Sequence, residues 1–324
     1  MKKKILILHT GGTISMMEDE TSGAVRPGER NPLTSQLQTL TRIANLIERE
    51  PLHVPSPHMT PNEMILLKEI IEKSYKEDKI EGVVITHGTD TLEETAYFLD
   101  LTVSLSLPIV VTGAMRSSNE IGSDGLYNLI SSLRVAISDD AQDKGVLVVL
   151  NDEIHTAKNV TKTHTSNLAT FQSPQYGPIG IVTKQSILFH HHPVVKEKYE
   201  KVLVQHKVGL LKAYAGLESD IIKAMKDYGY EGVIVEALGQ GNLPPTCLDG
   251  ISYLISAGIP VVLVSRCFNG IVQDVYGYSG GGKQLKEMGV IFSNGLNGQK
   301  ARIKLLISLS QTKDISSINA IFQK

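Results

Sequence analysis

The amino-acid sequence predicts an α/β protein: a larger N-terminal domain with a mostly parallel sheet flanked by helices, then a smaller C-terminal α/β domain with a parallel sheet. Two observations predict this class. Short runs rich in β-branched residues alternate with segments of helical hydrophobic spacing, which is typical of βαβ units. The pattern changes once, after Gly180, and then resumes. At 324 residues the chain is also long enough for two domains with buried cores.

The strands of the N-terminal domain are predicted from four apolar runs, at Ile5–Leu8, Val83–Thr86, Ile109–Thr112 and Val146–Leu150. Segments between them carry apolar residues at helical spacing. They predict helices at Asn62–Tyr75, Leu92–Leu101 and Leu126–Ile137. Asp90 with Glu93, or Thr91 with Glu94, also has the spacing of a capping box, so an ordinary helix start is one interpretation of that segment.

A strand-like run at Ile187–Phe189 and a charged stretch follow Gly180. We therefore predict an N-terminal domain at residues 1–190, a linker at 191–209 and a C-terminal domain at 210–324. The C-terminal domain has predicted strands at Leu210–Ala213, Val233–Glu236 and Val261–Ser265, and predicted helices at Ser219–Tyr228 and Cys247–Ser256. Pro244 and Pro245 mark the start of the last helix, where proline is well tolerated.

Composition and charge argue against several classes of function. The 32 Lys and Arg residues nearly balance 34 Asp and Glu residues, so a surface for nucleic-acid phosphates is not expected. No apolar segment is long enough for a signal peptide or a membrane span, so we expect a cytoplasmic protein with no membrane partner. Cys247 and Cys267 are then expected to be free thiols. His190–His192 are expected to end a surface strand, because consecutive strand residues face opposite sides and hold no common metal.

Two glycine-rich segments do not have the spacing of nucleotide-binding loops. Gly11-Gly12 and Gly280–Gly282 complete neither G-x-G-x-x-G nor G-x-x-x-x-G-K-[ST]. Nicotinamide and ATP chemistry are therefore not expected, and no cofactor is predicted.

The first two predicted strands end in similar polar turns. Ile5–Leu8 leads into His9-Thr10-Gly11-Gly12-Thr13, and Val83–Thr86 leads into His87-Gly88-Thr89-Asp90. Open parallel sheets bind small ligands at the carboxyl ends of their strands. Helix capping accounts for either turn alone. It does not explain why two turns place a threonine at the mouth of one sheet.

A lysine follows the fourth strand in a polar segment. Taken alone, Lys162 is typical of an ordinary surface lysine. Four hydroxyl residues surround it, however, and a polar cluster after a buried strand commonly serves a site. A threonine hydroxyl becomes a useful nucleophile only when a base removes its proton, and a lysine with a lowered pKa is such a base. We predict a catalytic group of Thr13, Thr89, Asp90 and Lys162, in which spacing leaves open which threonine attacks.

Five segments spread over the chain resemble the bacterial L-asparaginases: GGTI from Gly11, HGTDTLEETAYFLDLT from His87, TGAMRSSNEIGSDGLYN from Thr112, LNDEIHTAKNVTKT from Leu150 and GLNGQKAR from Gly295. The resemblance implies an amidohydrolase that converts L-asparagine to L-aspartate and ammonia without a cofactor, and it leaves weak glutaminase activity open. It further implies that Thr13 is the nucleophile and forms an acyl-enzyme. Thr89, Asp90 and Lys162 would form a supporting triad.

The resemblance also implies a set of substrate-binding residues: Gly12, Ser56, Pro57, Gly88, Thr89, Asp90, Ala114 and Asn242. Ser56 would hold the substrate carboxylate and Asp90 the α-ammonium group, while backbone N–H groups of the glycine-rich turns would hold the oxyanion. Three positions depart from the family pattern. Pro57 replaces a common glutamine, residues 16–30 contain no tyrosine, and Gly282 aligns with a glutamate that some relatives contribute from a neighbouring subunit. These departures predict fewer contacts to the amino group of the substrate and therefore a higher KM.

Asn242 matches a residue that, in relatives, reaches the site of a partner subunit. The resemblance therefore implies a homo-oligomer, usually a tetramer built from intimate dimers, although sequence does not separate a dimer from a tetramer. Two other functions remain open. A subunit of a tRNA-dependent amidotransferase is disfavoured because such relatives carry an extra N-terminal domain, whereas the first strand here begins near residue 4. A non-catalytic amino-acid sensor is disfavoured because all four catalytic positions are present.

Overall fold

The computed structural model describes residues 2–19, 21–27, 32–33, 37–193 and 197–323. The chain divides into two units, Met1–Lys198 and Tyr199–Lys324. Residues 194–196, which fall in the predicted linker, lie outside the described residues. Across the part of the chain that is described, no helix combines the length and the apolar character needed to cross a bilayer.

The N-terminal unit is built on a long sheet and two short antiparallel pairs. Its strands are β1 (Lys4–His9), β2 (Met16–Glu18), β3 (Val25–Pro27), β4 (Asn45–Arg49), β5 (Gly82–Thr86), β6 (Ile109–Thr112), β7 (Val146–Leu150), β8 (Glu153–Thr156), β9 (Thr161–Lys162), β10 (Phe171–Gln172), β11 (Gly180–Val182) and β12 (Ile187–Phe189). The long sheet has the order β12-β11-β8-β7-β6-β5-β1-β4. Its five strands from β7 to β4 are parallel neighbours, and the other three pair antiparallel. β2 pairs with β3, and β9 with β10.

Helices cover this sheet: α1 (Leu37–Leu40), α2 (Pro61–Glu77), α3 (Leu92–Thr102) and α4 (Gly125–Ile137). Ile5 and Ile7 of β1 share a buried core with Leu129 and Leu133 of α4. The intervening Leu6 points to the opposite face and is also fully buried. The parallel strands are thus buried on both faces, which explains why they are continuous apolar runs in the sequence.

The C-terminal unit has a four-stranded parallel sheet, in the order β13 (Val208–Lys212), β14 (Gly232–Ala237), β15 (Val261–Ser265) and β16 (Ile291–Phe292). Its helices are α5 (Ser219–Asp227), α6 (Leu248–Ser256), α7 (Gly282–Glu287), α8 (Gly298–Gln311) and α9 (Ile315–Phe322). Val233, Leu263 and Ile251 belong to one core between sheet and helices. The predicted fold class, with a mostly parallel sheet followed by a smaller parallel sheet, is confirmed.

The capping-box interpretation of the segment before α3 is wrong. Thr91 is the N-cap residue, yet its side chain makes no capping hydrogen bond. Its hydroxyl donates instead to the carbonyl oxygen of Ser56, at 2.8 Å. The Glu93 carboxylate accepts from the hydroxyl of Thr161, at 3.0 Å. Both side chains are therefore engaged by distant segments, which local spacing does not reveal. A capping box is present at α2, between Thr60 and Glu63.

Candidate active site

The order of the strands creates a crevice between β1 and β5. After β1 the chain continues to β4, toward one edge of the sheet. After β5 it continues to β6, toward the opposite edge. The connections therefore diverge at the carboxyl ends of β1 and β5, and open α/β sheets bind ligands at such a switch point. The residues that follow these two strands are Gly11–Thr13 and His87–Asp90, the turns singled out in the sequence.

The two turns touch through their glycines. Gly12 has a φ of 82°, in the left-handed region that favours glycine. A Cβ atom at Gly12 would lie 2.2 Å from the Cα of Gly88, so the two backbones are in contact and leave no room for a side chain. Thr13 and Thr89 are the residues that directly follow these glycines. The fold therefore brings the two threonine-bearing turns together.

Lys162 reaches the second turn from β9. Its Nζ donates hydrogen bonds to Thr89 Oγ1, at 2.9 Å, and to Asp90 Oδ1, at 2.7 Å. The Lys162 side chain is 17% exposed and that of Asp90 is 59% exposed. Three of the four predicted catalytic residues thus form one hydrogen-bonded group, in which a mostly buried amine links a hydroxyl to a solvent-facing carboxylate.

Ser56 packs against the same turn. Its Oγ accepts a hydrogen bond from the backbone N–H of Asp90, at 3.2 Å. A Cβ atom at Gly88 would lie 2.7 Å from the Cβ of Ser56, so these two residues are also in contact. Ser56 is buried, whereas Pro57, the next residue, is exposed. The hydroxyl of Ser56 is therefore beside the group formed by Thr89, Asp90 and Lys162.

Ala114 lies in the loop that follows β6, the next strand of the sheet, and is buried. The Asp124 carboxylate holds this loop by accepting hydrogen bonds from the backbone N–H of Met115, at 3.1 and 3.2 Å. A Cβ atom at Gly125 would lie 3.1 Å from Ile14 and 3.5 Å from Ala114, which places the loop near the residue after Thr13. Asp124 was not predicted from the sequence, although its position directly before α4 could have indicated it.

Asn242 belongs to the C-terminal unit. Its Oδ1 accepts a hydrogen bond from the backbone N–H of Gly282, at 3.2 Å, so these two positions are neighbours. A Cβ atom at Gly282 would lie 2.4 Å from the carbonyl oxygen of Gln273, and this backbone therefore excludes a side chain there. A contribution of Asn242 to a partner's site stays a prediction.

Cysteine and histidine positions complete the set of reactive groups. Cys247 is buried and Cys267 exposed, and both are free. Burial raises the pKa of the Cys247 thiol to about 11. His190 to His192 follow the end of β12 and are exposed. Within the described ranges, no group of three or more His, Cys, Asp or Glu side chains could hold a metal ion.

His87 is fully buried directly before Gly88. Its Nδ1 lies 2.7 Å from the carbonyl oxygen of Gly88, and its Nε2 lies 2.9 Å from the hydroxyl of Thr95. Because a carbonyl oxygen only accepts, Nδ1 carries the proton and Nε2 accepts from Thr95. Burial lowers the pKa of His87 to about 4. A neutral imidazole therefore fixes the backbone of the second turn.

We expect the free energy of unfolding to decrease between pH 6.5 and about pH 4 because of His87. The folded pKa lies below the unfolded value, so the unfolded state binds the extra proton and stability is lost as the pH falls through this window. The loss attributable to His87 approaches about 3 kcal/mol, at about 1.4 kcal/mol per pKa unit.

Urea unfolding at pH 7 and pH 4.5 measures this effect. His87→Asn is expected to flatten the pH dependence, because asparagine takes up no proton. His58→Gln, at an exposed histidine, is the matched control and is expected to keep the wild-type slope. A His87→Asn protein with the wild-type slope would contradict the assignment.

Comparisons with known proteins find relatives over nearly the whole chain. Residues 4–195 match the family profile "Asparaginase, N-terminal", and residues 207–322 match "Glutaminase/Asparaginase C-terminal domain". The chain is 37% identical over 333 residues to "L-asparaginase 2" of Escherichia coli, covering 99% of this chain and 92% of that protein. It is 33% identical to a glutamyl-tRNA(Gln) amidotransferase subunit of Methanobrevibacter smithii, covering 100% of this chain and 76% of that protein. The crystal structure of a probable cytoplasmic L-asparaginase from Campylobacter jejuni superposes with a TM-score of 0.89 at 32% identity, over the full length of both chains.

Proposed function

The chain belongs to the asparaginase family, and from that premise we propose that it hydrolyses L-asparagine to L-aspartate and ammonia through a threonine acyl-enzyme. One observation carries the proposal. The turn that bears Thr13 touches the turn that bears Thr89, and Lys162 binds both Thr89 and Asp90. This contact supports a site in which the Thr13 hydroxyl, a second hydroxyl, an amine and a carboxylate act together.

In the proposed reaction, the Thr13 hydroxyl attacks the side-chain amide carbon of asparagine. The C–O bond forms, the C–N bond breaks, and the hydroxyl proton leaves with the nitrogen as ammonia. Water then adds to the ester carbon, the C–O bond to Thr13 breaks, and a proton of the water passes to the Thr13 oxygen as aspartate is released. The hydrogen bond between Lys162 and Thr89 is a route for proton transfer in both steps. Backbone N–H groups of the two glycine-rich turns stabilise the oxyanion.

We assign the binding of the amino-acid end of the substrate to Asp90 and Ser56. Asp90 is exposed and carries the charge that an α-ammonium group requires, while it also contacts the Lys162 amine. The hydroxyl of Ser56, beside Asp90, suits the α-carboxylate because a hydroxyl donates a hydrogen bond. Pro57 offers no side-chain donor or acceptor. We therefore expect a higher KM than in relatives with glutamine at that position.

Ser56→Ala is expected to raise KM for L-asparagine about 10-fold to 100-fold, the range for one hydrogen bond to a charged group. Its kcat is expected to change little, because the lost contact is the same in the ground state and the transition state. Initial rates over a range of asparagine concentrations separate the two parameters. Ser74→Ala, at a buried serine of α2, is the control and should leave both unchanged. A fall in kcat at constant KM would contradict the binding role.

Ammonia release from L-asparagine and L-glutamine, measured side by side at neutral pH without added ATP, tRNA or metal, tests the proposed function. We expect rapid release from asparagine and slower release from glutamine. The second candidate, a subunit of an amidotransferase, is favoured by the likeness to archaeal subunits of that kind, the M. smithii protein among them. Release from neither amino acid by the isolated protein would reject the proposal and favour a partner-dependent enzyme or a sensor.

The proposal extends to assembly and location. We propose a homo-oligomer, most simply a tetramer of intimate dimers, to which Asn242 contributes at a subunit contact. We also propose a cytoplasmic location. Sedimentation of the purified protein measures the first, and a variant at Asn242 that retains the oligomer but raises KM would support its role in a shared site.

A further inference from the structure

A buried carboxylate lies at the start of α3, close to the site. Glu93 is 3% exposed. Its neighbour Glu94, in the same first turn, is only half-buried. Burying a carboxylate costs several kcal/mol unless hydrogen bonds compensate for the lost water. The burial of Glu93 therefore points to a specific set of donors.

Two donors to Glu93 come from β9. Its Oε1 accepts from the hydroxyl of Thr161, at 3.0 Å, and from the backbone N–H of Lys162, at 3.3 Å. Thr161 is itself buried. The carboxylate thus binds the strand that carries the lysine of the site.

The segment from Thr89 to Glu93 therefore holds Lys162 at both ends. Thr89 and Asp90 bind its Nζ, and Glu93 binds its backbone N–H. A lysine side chain has four rotatable bonds, and its ordering costs conformational entropy. Fixing the backbone on the same segment that fixes Nζ reduces the number of arrangements open to the amine.

Helix stabilisation alone does not explain this burial. A carboxylate in a first turn interacts favourably with the helix dipole while it remains in water. The first turn of α3 contains both Glu93 and Glu94, so either one supplies that interaction. The N-cap residue is Thr91 and not Asp90, so Glu93 is the second residue of the helix and completes no capping box.

We infer that Glu93 is a positioning residue, which holds β9 so that the Lys162 amine meets Thr89 and Asp90. Glu93 acts through Lys162 and does not itself touch the substrate. The inference deepens the proposed function, and its kinetic test rests on that function. A second test is independent of any activity.

Chemical labelling of lysines measures the position of Lys162 directly. Full-length protein is treated briefly with an N-hydroxysuccinimide acetate, and peptide mass spectrometry gives the acetylation rate of each lysine. Glu93→Ala is expected to increase the rate at Lys162 about tenfold, the factor for one hydrogen bond to a charged group. The reference is Lys73, whose side chain is 65% exposed and whose rate should not change.

Kinetics then separate positioning from a purely structural role. Glu93→Ala is expected to lower kcat for L-asparagine about 100-fold, the effect of a misplaced catalytic group, and to leave KM within about twofold. Glu93→Gln should recover kcat to within about threefold, because its side-chain oxygen still accepts both hydrogen bonds. Glu94→Gln, in the same turn, is the matched control and should behave as wild type.

Thr161→Val keeps the inference testable if Glu93→Ala does not fold. It removes one donor without removing a charge, and it should increase Lys162 labelling and lower kcat to a smaller extent. Unchanged Lys162 labelling in both Glu93→Ala and Thr161→Val would overturn the inference, as would a Glu93→Gln protein as impaired as Glu93→Ala. Faster labelling of Lys162 in these variants would support the positioning role even if the wild-type protein released no ammonia from asparagine. That second result would reject the proposed function alone.

Discussion

Replacing Thr13 with alanine is expected to lower kcat for L-asparagine by about 10⁴-fold or more, because the variant lacks the hydroxyl that we propose forms the ester. The fold should survive. Thr13 lies in a short turn, is only partly buried and follows a backbone already fixed by the contact of Gly12 with Gly88. The free energy of unfolding should therefore change by no more than about 0.5 kcal/mol. Ammonia release and urea unfolding on the same preparation measure both effects.

Thr13→Ser is the matched variant for this experiment. It keeps the hydroxyl and removes only a methyl group, so we expect measurable turnover, well above that of Thr13→Ala. A folded Thr13→Ala protein with wild-type turnover would show that the nucleophile is elsewhere, with Thr89 as the first alternative.

Replacing Lys162 with methionine is expected to lower kcat by about 10³-fold. The change keeps an unbranched side chain that is one atom shorter and removes the amine that binds Thr89 and Asp90. Loss of a positioned proton donor or acceptor usually costs about 10² to 10⁴ in rate. Asp90 also loses its partner, so we expect KM to rise as well. Initial-rate kinetics over a range of asparagine concentrations measure both changes.

Lys184→Met controls for the loss of one positive charge from the N-terminal unit, since Lys184 is exposed. It should leave kcat and KM unchanged. A folded Lys162→Met protein with a kcat within tenfold of wild type would mean that proton transfer does not require this amine.

The sequence predicted the buried parallel strands well, and of the two edge strands of the long sheet it predicted β12 and missed β4. Ile109–Thr112, Val146–Leu150 and Val261–Ser265 have the predicted bounds, because strands covered on both faces are continuous apolar runs. β4, at Asn45–Arg49, was not predicted. It is an edge strand with partly exposed residues, so polar side chains interrupt its apolar pattern.

Some features of the site were predicted from the sequence and others were not. Thr89, Asp90 and Lys162 were expected to share a crevice, since each follows the carboxyl end of a strand, and the structure brings them within hydrogen-bonding distance. The contact between Gly12 and Gly88 was not foreseen. It depends on how closely two turns approach in the folded chain, and hydrophobic periodicity carries no information about that distance.

Glu93 shows most clearly why local spacing misleads. Its distance of three residues from Asp90 resembles a capping box, yet its donors, Thr161 and Lys162, lie far along the chain. Polar contacts of this kind form only once the sheet has brought β9 next to α3. They belong to tertiary structure, and no window of the sequence contains them.

The identity of the acylated residue tests the central claim most directly. Wild-type protein is mixed with excess L-asparagine, quenched in acid within milliseconds, digested and analysed by peptide mass spectrometry. We expect one aspartyl group, attached as an ester to Thr13. An aspartyl ester on Thr89, with Thr13 unmodified, would contradict the account and exchange the roles of the two turns.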